Sequence, residues 1–143
     1  MVCTFFGHKD ANFEIENELR SIIIDLIENH NVKVFYVGHQ GNFDYLVRQN
    51  LEELCKIYTY IQYWIVLAYM PKQNHFLEQK YLSKTIYPDG LEKVPPKFAI
   101  NRRNRWMIGK ANYVVTHVKH NLSNASKFKE IAERKGKIVI NIT

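Results

Sequence analysis

The residues with the clearest chemical potential are the arginines of Asn101-Arg102-Arg103-Asn104-Arg105-Trp106. Three guanidinium groups so close together repel one another unless an anion or carboxylates meet them. The planar fork of arginine matches a phosphate group in two parallel hydrogen bonds. At helical spacing, positions 102 and 106 share one face and 103 and 107 another. Arg102 and Arg103 therefore point different ways, one toward a site and the other toward solvent. The competing reading is a solvated basic face with Trp106 in the core.

Two loops share a second pattern, glycine followed by histidine: Gly7-His8-Lys9 and Gly38-His39. Glycine lets a ligand approach the backbone closely, and a helix start beyond it offers unpaired N–H groups and a positive dipole end. The second loop continues as Gln40-Gly41-Asn42-Phe43-Asp44. It resembles a phosphate-cradling loop but is neither GxGxxG nor a P-loop, and a pair of plain strand-to-helix turns would look the same. Asp44 falls in the first turn of its helix. There it either accepts hydrogen bonds from sugar hydroxyls or favours the helix dipole.

Other candidate groups assign no reaction. His8, His39 and His117 fall at expected strand ends, but no HxH or HxxxH spacing accompanies them, so no metal site is expected. Asp10, Asp44 and Glu92 are candidate carboxylates by location alone. No nucleophile elbow or triad is visible, so catalytic residues stay unassigned. Cys3 and Cys55 form no CxxC and read as small buried hydrophobes. Lys127, Lys129, Arg134, Lys135 and Lys137 read as a solvated face with late cations favouring a helix C-terminus.

The elements that must position these groups alternate. Residues 1–6, 32–37, 64–69, 113–118 and 137–142 are apolar, β-branched or aromatic runs and are expected to be strands. Ile15, Leu19, Ile22, Ile23, Leu26 and Ile27 lie at helical spacing, ending near Asn29-His30-Asn31, where asparagine suits a left-handed cap. Further helices are expected over residues 43–56, 99–110 and 124–135, the last capped by Gly136. The stretch 72–98 is less regular: a short helix over 76–82, a turn at Tyr87-Pro88-Asp89-Gly90, and a Pro95-Pro96 break against helix or central strand. The pattern predicts a single α/β domain over residues 1–143, Rossmann-like. It has a mostly parallel sheet of about five strands with helices on both faces. Such sheets bind ligands outside the carboxyl ends of their strands, where strand order reverses.

Composition sets the outer bounds. The chain has 143 residues, 46% hydrophobic and 24% charged, with a formal charge of +6. That is ordinary globular composition, and it excludes a disordered chain. The basic balance suits an anionic partner without choosing among nucleotide, nucleic acid and acidic protein. No apolar run is long enough to span a membrane and no signal peptide is visible, so a cytoplasmic protein is expected. The apolar segment 57–61 suggests a homo-oligomer edge.

Taken in order, several segments resemble the SLOG superfamily, in its YpsA-like branch, related to DprA/Smf and to the "lonely guy" nucleotide hydrolases. They are Cys3-Thr4-Phe5-Phe6-Gly7-His8-Lys9-Asp10, then Phe35-Tyr36-Val37-Gly38 with Gly41 and Phe43-Asp44, then Leu67-Ala68-Tyr69-Met70-Pro71. Tyr87-Pro88-Asp89-Gly90-Leu91-Glu92, Phe98-Ala99-Ile100 with Arg103-Asn104 and Trp106-Met107, and Arg134-Lys135-Gly136-Lys137 with Val139-Ile140-Asn141 complete the set. The resemblance implies a Rossmann-like fold and a pocket for a nucleotide or an ADP-ribose-like ligand. Carried onto this chain, the pocket includes Gly7, His8, Gly38, Gly41, Asp44, Arg103 and Asn104. The chain departs from the pattern in three places. Ser123-Asn124-Ala125 stands where the family has Gly-Gly-Ala, so Ser123 or Asn124 would cap the last helix and still meet an anion. Lys9 stands for an arginine, and the Pro-Gly-Gly-x-Gly-Thr-x-x-Glu motif of the hydrolase branch is missing.

Three readings follow. The first is a binding or sensing module for a nucleotide-like ligand, held by Gly7, His8, Lys9, Gly38, His39, Gly41, Asp44, Arg102, Arg103, Asn104, Ser123 and Asn124. The second is a hydrolase of a nucleotide-like substrate. The third is a nucleic-acid-binding domain, whose cations would form a continuous stripe rather than converge in a pocket.

Overall fold

The computed structural model describes residues 1–70 and 83–143. Along the chain these form β1 (Val2–Gly7), α1 (Glu16–Asn29), β2 (Val34–Val37), α2 (Gly41–Ile57), β3 (Gln62–Val66), β4 (Thr85–Ile86), α3 (Ala99–Lys110), β5 (Tyr113–His117), α4 (Asn124–Arg134) and β6 (Ile138–Asn141). The strands make one sheet in the order β4-β3-β2-β1-β5-β6, and every pair is parallel. The chain is thus an α/β domain of Rossmann-like architecture.

This order fixes where the helices go. From β1 the chain steps outward through β2 and β3 to β4, then returns to the other side of β1 to make β5 and β6. With right-handed crossovers, reversing the direction of travel moves the helices to the opposite face. Two cores result. Leu19, Ile23, Leu26 and Ile27 of α1 and Leu46, Val47, Leu51 and Leu54 of α2 pack on one face of the sheet. Met107 and Ile108 of α3 and Phe128 and Ala132 of α4 pack on the other. The alternation of β1 serves both, with Cys3 and Phe5 in the first core and Phe6 in the second. The order reverses between β1 and β5, where Gly7 pairs with His117.

Two expectations need correction. The sheet has six strands rather than about five. Thr85–Ile86 pairs with Ile65 and Val66, and a two-residue strand is too short to show any period. The third strand was expected over 64–69 as a central one, but it spans Gln62–Val66 and lies second from the sheet edge. Leu67 still donates its N–H to the Ile86 carbonyl at 2.8 Å, after which the chain leaves the sheet.

Local signals behave as their chemistry requires. Asn31 adopts φ +56° after α1, and Gly136 adopts φ +75° after α4, the left-handed caps expected at those ends. Gly90 at φ +83° forms the turn after Pro88-Asp89. Pro96 opens a 3-10 turn, Pro96–Phe98, directly before α3, a position where its missing N–H costs nothing. Cys3 is fully buried, but Cys55 is only half-buried, which corrects its reading as a core residue. Ile57 and Tyr60 are exposed, while Ile61 is buried. The short helix expected over 76–82, and Pro71 of the family-like segment, lie outside the described residues. Among the described residues no helix is long and apolar enough to cross a membrane.

Candidate functional site

A cavity of about 290 Å³ opens at the carboxyl end of the sheet, beside the β1–β5 reversal. Phe6, Met107 and Phe128 give it an apolar side. Gly7, His8, Lys9 and Asp10 come from the loop after β1, and Gln40 and Asp44 from the start of α2. Ile100, Arg103 and Asn104 come from α3, and Ser123, Asn124 and Ala125 from the start of α4. Two helix N-termini therefore border it. Ser123 caps α4, its Oγ accepting the Ser126 N–H at 3.0 Å, and the first turn of α4 holds no carboxylate. Nothing in that turn neutralises the positive helix end.

The glycines hold the loops together. A Cβ at Gly7 would sit 2.2 Å from Cγ of Phe43, whose buried ring lies directly beneath. A Cβ at Gly38 would sit 2.6 Å from Oδ2 of Asp44. Gly41 has φ +87°, and a Cβ there would lie 2.6 Å from Cα of Lys9. That contact, with the Asn42 N–H donating to the Lys9 carbonyl at 2.8 Å, locks the first loop to the second. Gly38 and Gly41 are thus filled by protein rather than lining the cavity.

Arg103 is buried and organises the wall between α2 and α3. Its Nε donates to Oδ1 of Asn104 at 2.7 Å, its Nη1 to the Val66 carbonyl at 2.8 Å, and its Nη2 to Oε1 of Gln40 at 3.4 Å. Each contact consumes an acceptor. The amide NH₂ groups of Asn104 and Gln40 are left to serve as donors. Arg103 thus acts by orienting two cavity-lining amides.

Asp44 lies against the same network. Its Oδ2 accepts the Gln40 N–H at 3.0 Å. Burial raises its pKa, opposed by the Arg103 charge, the Gln40 hydrogen bond and Arg48. Burial also lowers the pKa of Arg103, with Asp44 opposing. His39 packs behind this wall. Burial, then the charges of Arg103 and Arg48, hold its pKa down at about 4, so it stays neutral near pH 7.

Across the cavity, His8 sits in a histidine cluster. Its ring stacks on His120 at 4.4 Å and meets the edge of His117 at 5.7 Å. Its Nε2 accepts the Lys119 N–H at 2.9 Å, which requires the neutral tautomer protonated at Nδ1. His117 donates from Nδ1 to the Ile142 carbonyl at 2.9 Å. Burial lowers the His8 pKa, helped by His120, His117 and Lys119 and opposed by Asp10.

The sequence-derived set divides. Gly7, His8, Lys9, Asp44, Arg103, Asn104, Ser123 and Asn124 line the cavity, while Gly38, His39, Gly41 and Arg102 do not. Arg102 is exposed on the far side of α3, as the helical spacing required. Of the three histidines placed at expected strand ends, His8 and His117 meet, and His39 stands apart beside Arg103. Of the candidate carboxylates, Asp10 and Asp44 line the cavity and Glu92 does not. Among the described residues no group of three His, Cys, Asp or Glu is placed to hold a metal. The residues sequence reasoning missed are Gln40, His120 and the apolar wall. Only Gln40 carried a signal, its place directly before Gly41.

No protein-family model and no curated protein matches the chain.

Proposed function

We propose that the cavity binds a small nucleotide-derived ligand through its phosphate, and that the protein is a cytoplasmic binding or sensing module. The observation that carries this reading is the cavity's position at the strand-order reversal, with the carboxylate-free N-terminus of α4 on its rim. Open parallel sheets bind ligands at that point, and helix N-termini meet anions. The oriented amide donors of Asn104 and Gln40 and the charge of Lys9 suit an acceptor-rich, anionic group. Phe6, Met107 and Phe128 suit an apolar ring face. A volume of about 290 Å³ is at the lower end of small-molecule sites, about 300–1,000 Å³. It fits a mononucleotide, or the phosphoribosyl end of an ADP-ribose-like molecule.

The direct test is thermal unfolding with AMP, ADP, ADP-ribose and NAD in turn. A ligand at a hundred times its Kd should add about 2.7 kcal/mol of stability. If none of the four shifts the transition, the reading fails.

One observation favours a second reading, a nucleotide-processing hydrolase. Asp44 is a cavity carboxyl with a raised pKa, the condition of a general acid. Turnover of the same nucleotides, lost in Asp44→Asn, would establish it. Binding without product release would exclude it.

A further inference from the structure

The charge of this chain is divided between the two faces of its sheet. Residues 1–60, which build α1 and α2, hold five Lys and Arg against nine Asp and Glu, a net −4. Residues 83–143, which build α3 and α4, hold thirteen against four, a net +9. The cavity accounts for little of this excess, since only Lys9 and Arg103 among the cations line it.

The excess lies on the outer surface of α3 and α4. Glu130 and Glu133, the acids of α4, are already engaged by Arg134 at 3.8 Å and Lys129 at 3.3 Å. No carboxylate of the described residues comes within ion-pair distance of Arg102, Arg105, Lys110, Lys127, Lys135 or Lys137. The two helices that carry most of them pack on the same face of the sheet, through Met107 and Ile108 of α3 and Phe128 and Ala132 of α4. Arg102, Arg105 and the exposed Gly109 form one stripe along α3. The Ile138 N–H donates to the Asn112 carbonyl at 3.1 Å, which brings the end of α3 at Lys110 beside Lys137. A Cβ at Gly109 would meet nothing within 4 Å, so the middle of this stripe is low and open.

We infer that the outer face of α3 and α4 is a docking surface for the phosphate backbone of duplex nucleic acid, separate from the cavity. The choice of partner follows from what this face lacks. An acidic protein would need an apolar centre to its interface, and a membrane-lying helix an apolar side. Among the described residues no large apolar side chain is exposed within α3 or α4; Phe98, Leu122 and Ile138, which are exposed, lie just beyond the ends of these helices. A phosphate backbone needs only cations, released counterions and room to approach. Two adjacent helices present a broad face that one backbone strand alone would not cover.

The test is fluorescence anisotropy with a labelled duplex of mixed sequence, repeated with a single strand, poly-glutamate and vesicles rich in anionic lipid. Six phosphate contacts should weaken duplex binding about a thousandfold between 50 and 200 mM salt. Arg105→Glu/Lys127→Glu/Lys135→Glu changes only exposed positions, and should lower the salt slope by about 3 and abolish binding at the higher salt. Lys56→Glu, an equal change per residue on the opposite face, should bind as the parent does. The inference is overturned if the duplex does not bind at 50 mM salt, or if the triple variant binds like the parent. It is equally overturned if poly-glutamate or the vesicles bind more tightly than the duplex.

Discussion

Arg103 donates its Nε to Oδ1 of Asn104, the next residue in the same helix, at 2.7 Å. The bond turns the Asn104 amide so that Nδ2 is left as a donor at the cavity wall. Asn104→Asp keeps the acceptor that Arg103 uses and removes that donor. It should fold as stably as the parent, because a carboxylate beside a buried guanidinium gains a charge-assisted bond. It should also lose the thermal shift given by whichever of AMP, ADP, ADP-ribose or NAD stabilises the parent. A ligand shift of unchanged size in this variant would show that the amide does not face the ligand.

The other partners of Arg103 set a separate expectation for stability. Arg103→Met leaves the Val66 carbonyl and the Asp44 carboxylate buried without their cation. Breaking one side of a buried charged network costs about 3–5 kcal/mol. Arg103→Lys should recover only part of this, because an ammonium cannot reach Val66, Asn104 and Gln40 through one planar fork. Urea denaturation of both variants measures it. Equal stability of lysine and arginine at this position would mean that the three-way geometry is unimportant.

How far the sequence foretold this arrangement depended on where each signal resides. Helix α3 was legible because Ile100, Met107 and Ile108 fall at i, i+7 and i+8, on one helical face, and Pro95-Pro96 precede it. The opposite pointing of Arg102 and Arg103 followed from that spacing alone. The short strand Thr85–Ile86 was not legible, since two residues show no period and only the neighbouring β3 gives them a partner. Gly38 and Gly41 read as openings for a ligand, because a glycine in a loop looks the same whether a ligand or a protein atom fills its missing Cβ. The atoms that fill them, Asp44 Oδ2 and Lys9 Cα, lie six residues downstream and in another loop. His120 stacks on His8 across 112 positions of sequence, a relation that only the β1–β5 pairing creates.

The Gly7 contact gives a sharp packing test. Its missing Cβ would stand 2.2 Å from Cγ and 2.5 Å from Cδ2 of Phe43. The ring is buried in the core, so it can give way only by displacing its neighbours. Gly7→Ala should therefore destabilise the fold by about 1–3 kcal/mol, the usual cost of overpacking. Gly7→Ala/Phe43→Leu should regain part of that loss, because a smaller side chain yields the space. Chemical denaturation of the two variants decides it. No recovery in the double variant would place the strain in the backbone of the loop instead.

The half-buried histidine His39 predicts a pH dependence whose sign can be worked out. Its pKa falls from the ordinary 6.5 to about 4 in the folded chain, through burial first and then the charges of Arg103 and Arg48. Between those values the unfolded chain takes up a proton that the folded chain refuses. Stability therefore rises with pH across that window, and is lost as pH falls from 6.5 toward 4. The full effect of His39 amounts to up to about 3 kcal/mol. His8, also shifted down, by burial first, acts in the same direction. Denaturant midpoints at half-unit steps from pH 4 to 7.5 should fall on the acid side. His39→Gln should flatten most of that slope, and His39→Gln/His8→Asn more of it. Parallel curves for the parent and the single variant would mean that His39 titrates normally, and that the buried wall around Arg103 is more open to water than its burial implies.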